Sequence, residues 1–210
     1  MSSRRFRGYE MGLLWADLIN SDWHDYLGQG RDEDRLEKPE WIRRFLARWK
    51  LPPVDAGSEE TQRALADLRS LLRRLMLKLQ AEKPLSGRDL SALNAYLGAE
   101  SIVRRVERRG DAFHMRVAPV TCSLDAVLSE IAASFADMLV NGDPTRIKMC
   151  ENRDCRWVIY DRSKNRTRRW CAGSTGCGNL LKVRRFRERR KKDAGRPSGG
   201  RGSARQQRRL

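Results

Sequence analysis

The sequence predicts a mainly α-helical N-terminal domain carrying one small β-hairpin, followed by a short ββα module. Three observations predict it. A leucine repeat at alternating spacings of three and four runs through residues 65–79, the period changes to two between 102 and 117, and four cysteines fall within 28 residues near the C-terminal end. A chain of 210 residues has room for one medium core and a small second one, not for two large ones.

Taken in order, residues 1–10 are expected to be a flexible N-terminus, and the helical domain spans 11–143. Leu14, Leu18 and Ile19 with Trp15 predict a first helix over 11–27, ending near Gly28. The polar run Gln29 to Lys38 reads as a loop. Pro39 suits the first turn of a helix to about Lys50, and Pro52-Pro53 stops it. On that helix Trp41, Phe45 and Trp49 share a face. The best helix covers 59–82, with Leu65, Leu68, Leu72, Leu75 and Leu79 as its apolar stripe and Pro84 beyond it. Ser86, with Asp89 three residues on, reads as the N-cap of another helix holding Leu90, Leu93 and Leu97, closed by Gly98. Ile102, Val103 and Val106, then Gly110-Asp111, then Phe113, Met115 and Val117 read as the hairpin. A last helix, Ser123 to Val140, presents Val127, Leu128, Ile131, Phe135, Met138 and Leu139. Asn141-Gly142-Asp143-Pro144 ends the domain.

Charge changes at the same point. Residues 1–145 carry 22 Lys and Arg against 22 Asp and Glu, whereas 146–210 carry 22 against 5, so the whole surplus of +17 lies at one end. A neutral domain joined to a cationic one implies a polyanion-binding surface confined to the latter. Residues 193–210 are Gly, Ser, Arg and Gln with almost nothing apolar, so this basic tail is expected to be disordered. No run approaches the roughly 18 apolar residues of a membrane span, and no apolar stretch follows the basic start as in a secretory signal. A cytoplasmic protein with no membrane partner is expected.

Four residues separate Cys150 from Cys155, fifteen separate Cys155 from Cys171, and five separate Cys171 from Cys177. Two close pairs joined by a short segment are what a tetrahedral Zn2+ site needs, each pair giving two thiolates from one loop. Five cysteines in a chain without an export signal argue against a disulfide framework. Cys122 stands apart and is expected to be a small buried or partly buried thiol. Redox thiols and catalytic zinc are the alternatives; the second usually recruits histidine or carboxylate, and His24 and His114 lie elsewhere. Between the pairs, Arg156 to Asp161 reads as a strand, Ser163 to Arg166 as a turn and Thr167 to Trp170 as the returning strand. A helix opens at Cys177-Gly178-Asn179 and runs to about Lys192. Hairpin plus helix, with one ligand at the helix start, resembles a treble-clef zinc finger, over 144–192. A module of about 45 residues has little core of its own, and structural zinc contributes roughly 10 kcal/mol or more.

On a helical wheel Leu180, Val183 and Phe186 fall together and are expected to dock on the hairpin. Lys182, Arg185, Arg189 and Lys192 cluster elsewhere, and the hairpin adds Lys164, Asn165, Arg166, Arg168 and Arg169. These nine are the candidate nucleic-acid contacts. A solvated helix face, or an acidic protein or membrane surface, is the alternative, but exposed helices usually interleave acids with bases and this one carries only Glu188 before its last turn.

The run Cys150-x4-Cys155-Arg156-Trp157, Asp161 to Asn165, Arg169-Trp170-Cys171 and Cys177-Gly178-Asn179 resembles the bacterial CGNR zinc-finger family. Residues 11–140 are similar in layout to its usual partner, the ABATE domain, with Asp17-Leu18-Ile19-Asn20-Ser21 matching an early motif. The resemblance implies a transcription regulator that binds DNA through the finger and associates with the nucleoid. Two departures stand out: Leu180 replaces the name-giving arginine, and the second cysteine pair is one residue wider, the extra room falling within Ala172 to Gly176.

The N-terminal domain is then expected to be regulatory. Trp15, Trp23, Trp41, Phe45 and Trp49 line either a small-effector pocket or, more in keeping with helical spacing, a core. The leucine stripe serves an internal bundle or a homodimer seam. No phosphate-cradling glycine loop, HExxH or recognisable nucleophile and base motif is present, so no enzyme is expected. RNA binding, with Trp157 or Trp170 stacking on bases, and a protein-interaction adaptor are the rival functions.

Overall fold

The computed structural model describes residues 14–171 and 176–194, with the side chains of Arg109, Arg116 and 192–194 left aside. The expected flexible start, 1–10, and the basic tail beyond 194 lie outside the described residues.

Helices α1 (Leu14–Ile19), α2 (Pro39–Trp49), α3 (Glu59–Gln80), α4 (Gly87–Leu97) and α5 (Leu124–Asn141) form the bulk of the molecule. Short antiparallel ladders join β1 (Asp22–Trp23) to β2 (Glu33–Asp34) and β3 (Ile102–Arg109) to β4 (Ala112–Pro119). The finger consists of β5 (Ile147–Met149), β6 (Val158–Tyr160) and α6 (Cys177–Ala194).

The leucine repeat makes α3 the hub. Leu65, Leu68, Leu72 and Leu75 are fully buried against α1 and α5. The stripe is therefore filled from within the chain, not held open as a dimer seam. Removing such side chains from water is the main favourable term in folding. Ser86 caps α4 as its spacing predicts: its hydroxyl accepts from the Asp89 amide, and the Asp89 carboxylate accepts from the Ser86 amide at 2.8 Å. Lys78 on α3 reaches the same carboxylate at 2.5 Å, tying the two helices together.

The first helix is much shorter than its apolar pattern predicts. It stops at Ile19 because Asn20 and Ser21 make other bonds: the Ser21 hydroxyl turns back to the Leu18 carbonyl at 2.7 Å, and Asn20 pairs with a strand of the finger. The expected loop 29–38 likewise contains β2 and a 3-10 turn (Arg35–Glu37), capped by the Asp34 carboxylate. The hairpin β3–β4 forms as predicted and stands away from the core, with Val106, Phe113 and Met115 exposed. Cys122, expected to be at least partly buried, is exposed in the turn before α5.

A further correction concerns the finger. Its β6 pairs not with 167–170 but with β5, so that Ile147 faces Tyr160 and Met149 faces Val158. Residues 167–170 form no strand; the Lys148 amine on β5 gathers the Arg166 and Arg168 carbonyls together with the Asp161 carboxylate, and the Glu151 amide donates to the Arg169 carbonyl at 3.0 Å. Ile147 and Val158 are buried in the same apolar core as the helices. The change of charge near residue 143 is thus not a break in packing.

Candidate metal centre

The first pair of ligands is delivered by the turn that joins β5 to β6. Cys150 follows β5 directly, and its amide donates to the Trp157 carbonyl at 2.8 Å, prolonging the ladder. The Cys155 amide donates to the Asn152 carbonyl at 3.0 Å, and Arg156 takes a positive φ of 49°, which turns the chain back toward β6. Cys171 follows Trp170, and Cys177 opens α6.

All four sulfurs lie within 4.8 Å of one another, with Cys171 3.9 Å from Cys150 and 3.8 Å from Cys155. Ligands about 2.3 Å from a central zinc, at tetrahedral angles, stand about 3.8 Å apart, so the cluster has the dimensions of a four-thiolate site. Cys150, Cys155 and Cys177 are buried and Cys171 half-buried, with Tyr26, Trp157 and Trp170 packed around them. The thiols bias one another: the Cys155 hydrogen bond pulls Cys171 down to about 5, while the bond to Cys171 and burial push Cys155 up. Full ionisation of four adjacent thiols needs a cation among them. Zinc held here would be structural, since four thiolates close its shell, and it would join the β5–β6 turn to the start of α6. The wider second spacing is no obstacle, for Cys171 and Cys177 both reach the cluster; Ala172 to Thr175 lie outside the described residues. Gly178 has its own reason: a Cβ there would sit 3.2 Å from the Trp170 ring.

Two asparagines that sequence reasoning passed over join the centre to the helical domain. Asn20 imitates a strand, accepting from the Val158 amide at 2.8 Å and donating to its carbonyl at 3.0 Å. Asn152, 3% exposed, donates to the Tyr26 carbonyl at 2.9 Å and contacts the Cys177 sulfur at 3.2 Å. Arg184 on α6 donates to the Leu27 carbonyl at 2.7 Å. Gly28 completes this seam: at its φ of +73° any other residue would be strained, and a Cβ there would lie 3.1 Å from the Asp154 carboxylate, which would have to shift. The one available signal was the Asp17 to Ser21 motif, whose Asn20 is now seen to be the clip. Asp17 itself accepts from the Trp49 indole at 2.7 Å.

The candidate nucleic-acid residues divide. Lys182, Arg185 and Arg189 are exposed on α6, together with Arg187, Arg190 and Lys191, while the Lys192 side chain lies outside the described set. Lys164 and Asn165 are exposed on a turn. Of the other three, Arg166 and Arg169 are exposed but make ion pairs within the protein. Arg166 pairs with Asp143 at 2.9 Å, Arg168 is half-buried, and Arg169 forks onto Glu151 at 2.7 and 2.5 Å while stacking over Trp170. Trp157 and Trp170, considered for base stacking, are half-buried against the centre and the arginines Arg35 and Arg169. Of the five aromatic residues of the N-terminal domain, Trp15, Phe45 and Trp49 are buried in the hydrophobic core and Trp41 packs against it. Trp15 packs edge-on against Phe135, Trp41 stacks on Phe45 at 5.2 Å, Trp49 bonds Asp17, and Trp23 faces Arg35.

One expectation about α6 fails. Val183 and Phe186 do not dock on the hairpin; they are 39% and 57% exposed. Cys177 must turn its sulfur to the metal, which sets the rotation of the helix. The inward side is then Cys177, Leu181 and Arg184, with half-buried Leu180 beside them.

A helical domain clipped to a four-cysteine finger that ends in a cationic helix defines the class of the chain as a zinc-finger protein. Residues 12–142 match the ABATE family, described as "Putative stress-induced transcription regulator", and residues 146–190 match the CGNR zinc finger. The chain belongs to the ABATE family, with a CGNR zinc finger as its C-terminal part. No curated protein matches it.

Proposed function

We propose that this protein is a zinc-dependent DNA-binding regulator of transcription, non-catalytic, acting on DNA in the bacterial cytoplasm with its helical domain as the regulatory part. The observation that carries the proposal is the exposed run on α6. Lys182, Arg185, Arg187, Arg189, Arg190 and Lys191 all stand in solvent, interrupted by the single acid Glu188. Such a helix attracts phosphates and releases their condensed counterions. Structural zinc would hold its first turn, so that the cations are presented from a fixed base. No helix among the described residues is long and apolar enough to cross a membrane.

The test is duplex binding across a salt series. With about six phosphates engaged, log affinity falls with log salt at a slope near −5, and replacing Arg185 and Arg189 by alanine lowers the slope by about 2 without releasing zinc. A flat response contradicts the proposal. Preference for single-stranded RNA in direct competition would move the reading to RNA, and a partner retained after nuclease and high salt would move it to a protein adaptor.

A further inference from the structure

The face of α6 turned away from the metal centre carries a pattern that phosphate binding alone does not use. Asn179, Val183, Phe186 and Arg190 follow one another at intervals of four, three and four residues, so they form one stripe along the helix. It lies opposite Cys177, Leu181 and Arg184. Asn179 and Arg190 are exposed, as are Val183 and Phe186, and the Arg190 guanidinium stands 5.9 Å from the centre of the Phe186 ring. Lys182 and Arg189 flank the stripe on one side and Arg187 on the other. Two large apolar side chains are thus held in water along the middle of a strongly cationic helix.

One ligand satisfies both features. In the major groove the only apolar group on a base edge is the thymine 5-methyl, and it accepts aliphatic or aromatic contacts, while asparagine pairs with adenine and arginine with guanine. The stripe extends about 16 Å at 1.5 Å per residue, roughly five base steps of 3.4 Å. The geometry points to α6 as a base-reading helix in which Val183 and Phe186 pack on thymine methyls, Asn179 and Arg190 address neighbouring base edges, and the flanking cations hold phosphates. A second copy of α6 does not suit this face, because two such helices would oppose their cations. The inference rests on the DNA-binding reading above and adds to it the residues that select sequence.

The experiment uses the full, zinc-loaded chain. Preferred duplexes are selected from random sequence, and each thymidine is then replaced by deoxyuridine, which deletes only the methyl. The expected result is a thymine-containing site in which deoxyuridine at one or two positions weakens binding about fourfold each, the worth of one buried methyl group. Phe186→Ala then binds the thymidine and deoxyuridine forms alike at one of those positions, and Val183→Ser at the other. Both variants keep bound zinc and the wild-type salt slope, and Phe186→Leu restores most of the discrimination. Indifference of the wild-type chain to every deoxyuridine, or discrimination that survives Phe186→Ala, overturns the stripe while leaving DNA binding in place. Absence of salt-dependent duplex binding by the wild-type chain overturns the functional proposal, and the stripe with it.

Discussion

The helical domain and the finger reach a folded state with different materials. In the former, α3 alone hides four leucines completely, and Trp15, Ile131 and Phe135 close around it. The finger's buried apolar residues are few: Ile147 and Val158 belong to the core of the other part, leaving mainly Ile159 and the cysteines themselves. Its remaining order comes from polar clips, with Lys148 on Asp161, Asn20 on Val158 and Asn152 on Tyr26, and from the sulfur cluster. A segment of this kind can give most of its outer surface to cations, because it does not depend on a large apolar interior.

The contrast is broken most severely by chelation. Removing zinc from the reduced protein should cost the finger roughly 10 kcal/mol of folding free energy. Amides in 147–171 would then exchange quickly while those of α3 and α5 stay protected; uniform protection in chelator would contradict the contrast. Phe135→Ala is the converse experiment. It opens a cavity beside Trp15, its edge-on neighbour at 5.3 Å, and should lower stability by about 3–5 kcal/mol in denaturant titration with bound zinc unchanged. Asn20→Ala attacks the seam, leaving the buried amide and carbonyl of Val158 without partners. A loss of about 2 kcal/mol is expected, with faster exchange at Val158 and little change at α3.

The smallest effect concerns acid. Asp89 is held well below the usual carboxylate range by the hydrogen bond from Lys78, then by those from Ser86, against the opposing effect of burial. A depressed folded pKa stabilises above the unfolded value of about 3.9, and that stabilisation is lost as pH falls through the folded one. Asp89→Asn should therefore be less stable than wild type at pH 6, with the gap closing as pH drops from 5 toward 2. A gap independent of pH would assign the role of Asp89 to packing.

The elements most legible from sequence were those fixed by local period or spacing. The α3 stripe, the Ser86 and Asp89 cap and the β3–β4 turn each rest on residues a few positions apart, and the four cysteines on two such close pairs. What escaped depends on distant partners. Asn20 ends α1 by bonding Val158, 138 residues away, a partner that the Asp17 to Ser21 motif does not specify. The pairing of β6 with β5 follows from closing the Cys150 to Cys155 turn, which residue alternation in 156–170 does not encode. Val183 and Phe186 were misplaced by the rule that apolar residues face inward, whereas the rotation of α6 is set by a metal ligand.

X-ray absorption at the zinc edge of the purified, reduced full chain tests the sulfur cluster most directly. The account predicts one zinc per chain with four sulfur neighbours near 2.3 Å and no nitrogen or oxygen ligand. A substoichiometric metal content, or a shell completed by water, histidine or carboxylate, would contradict it.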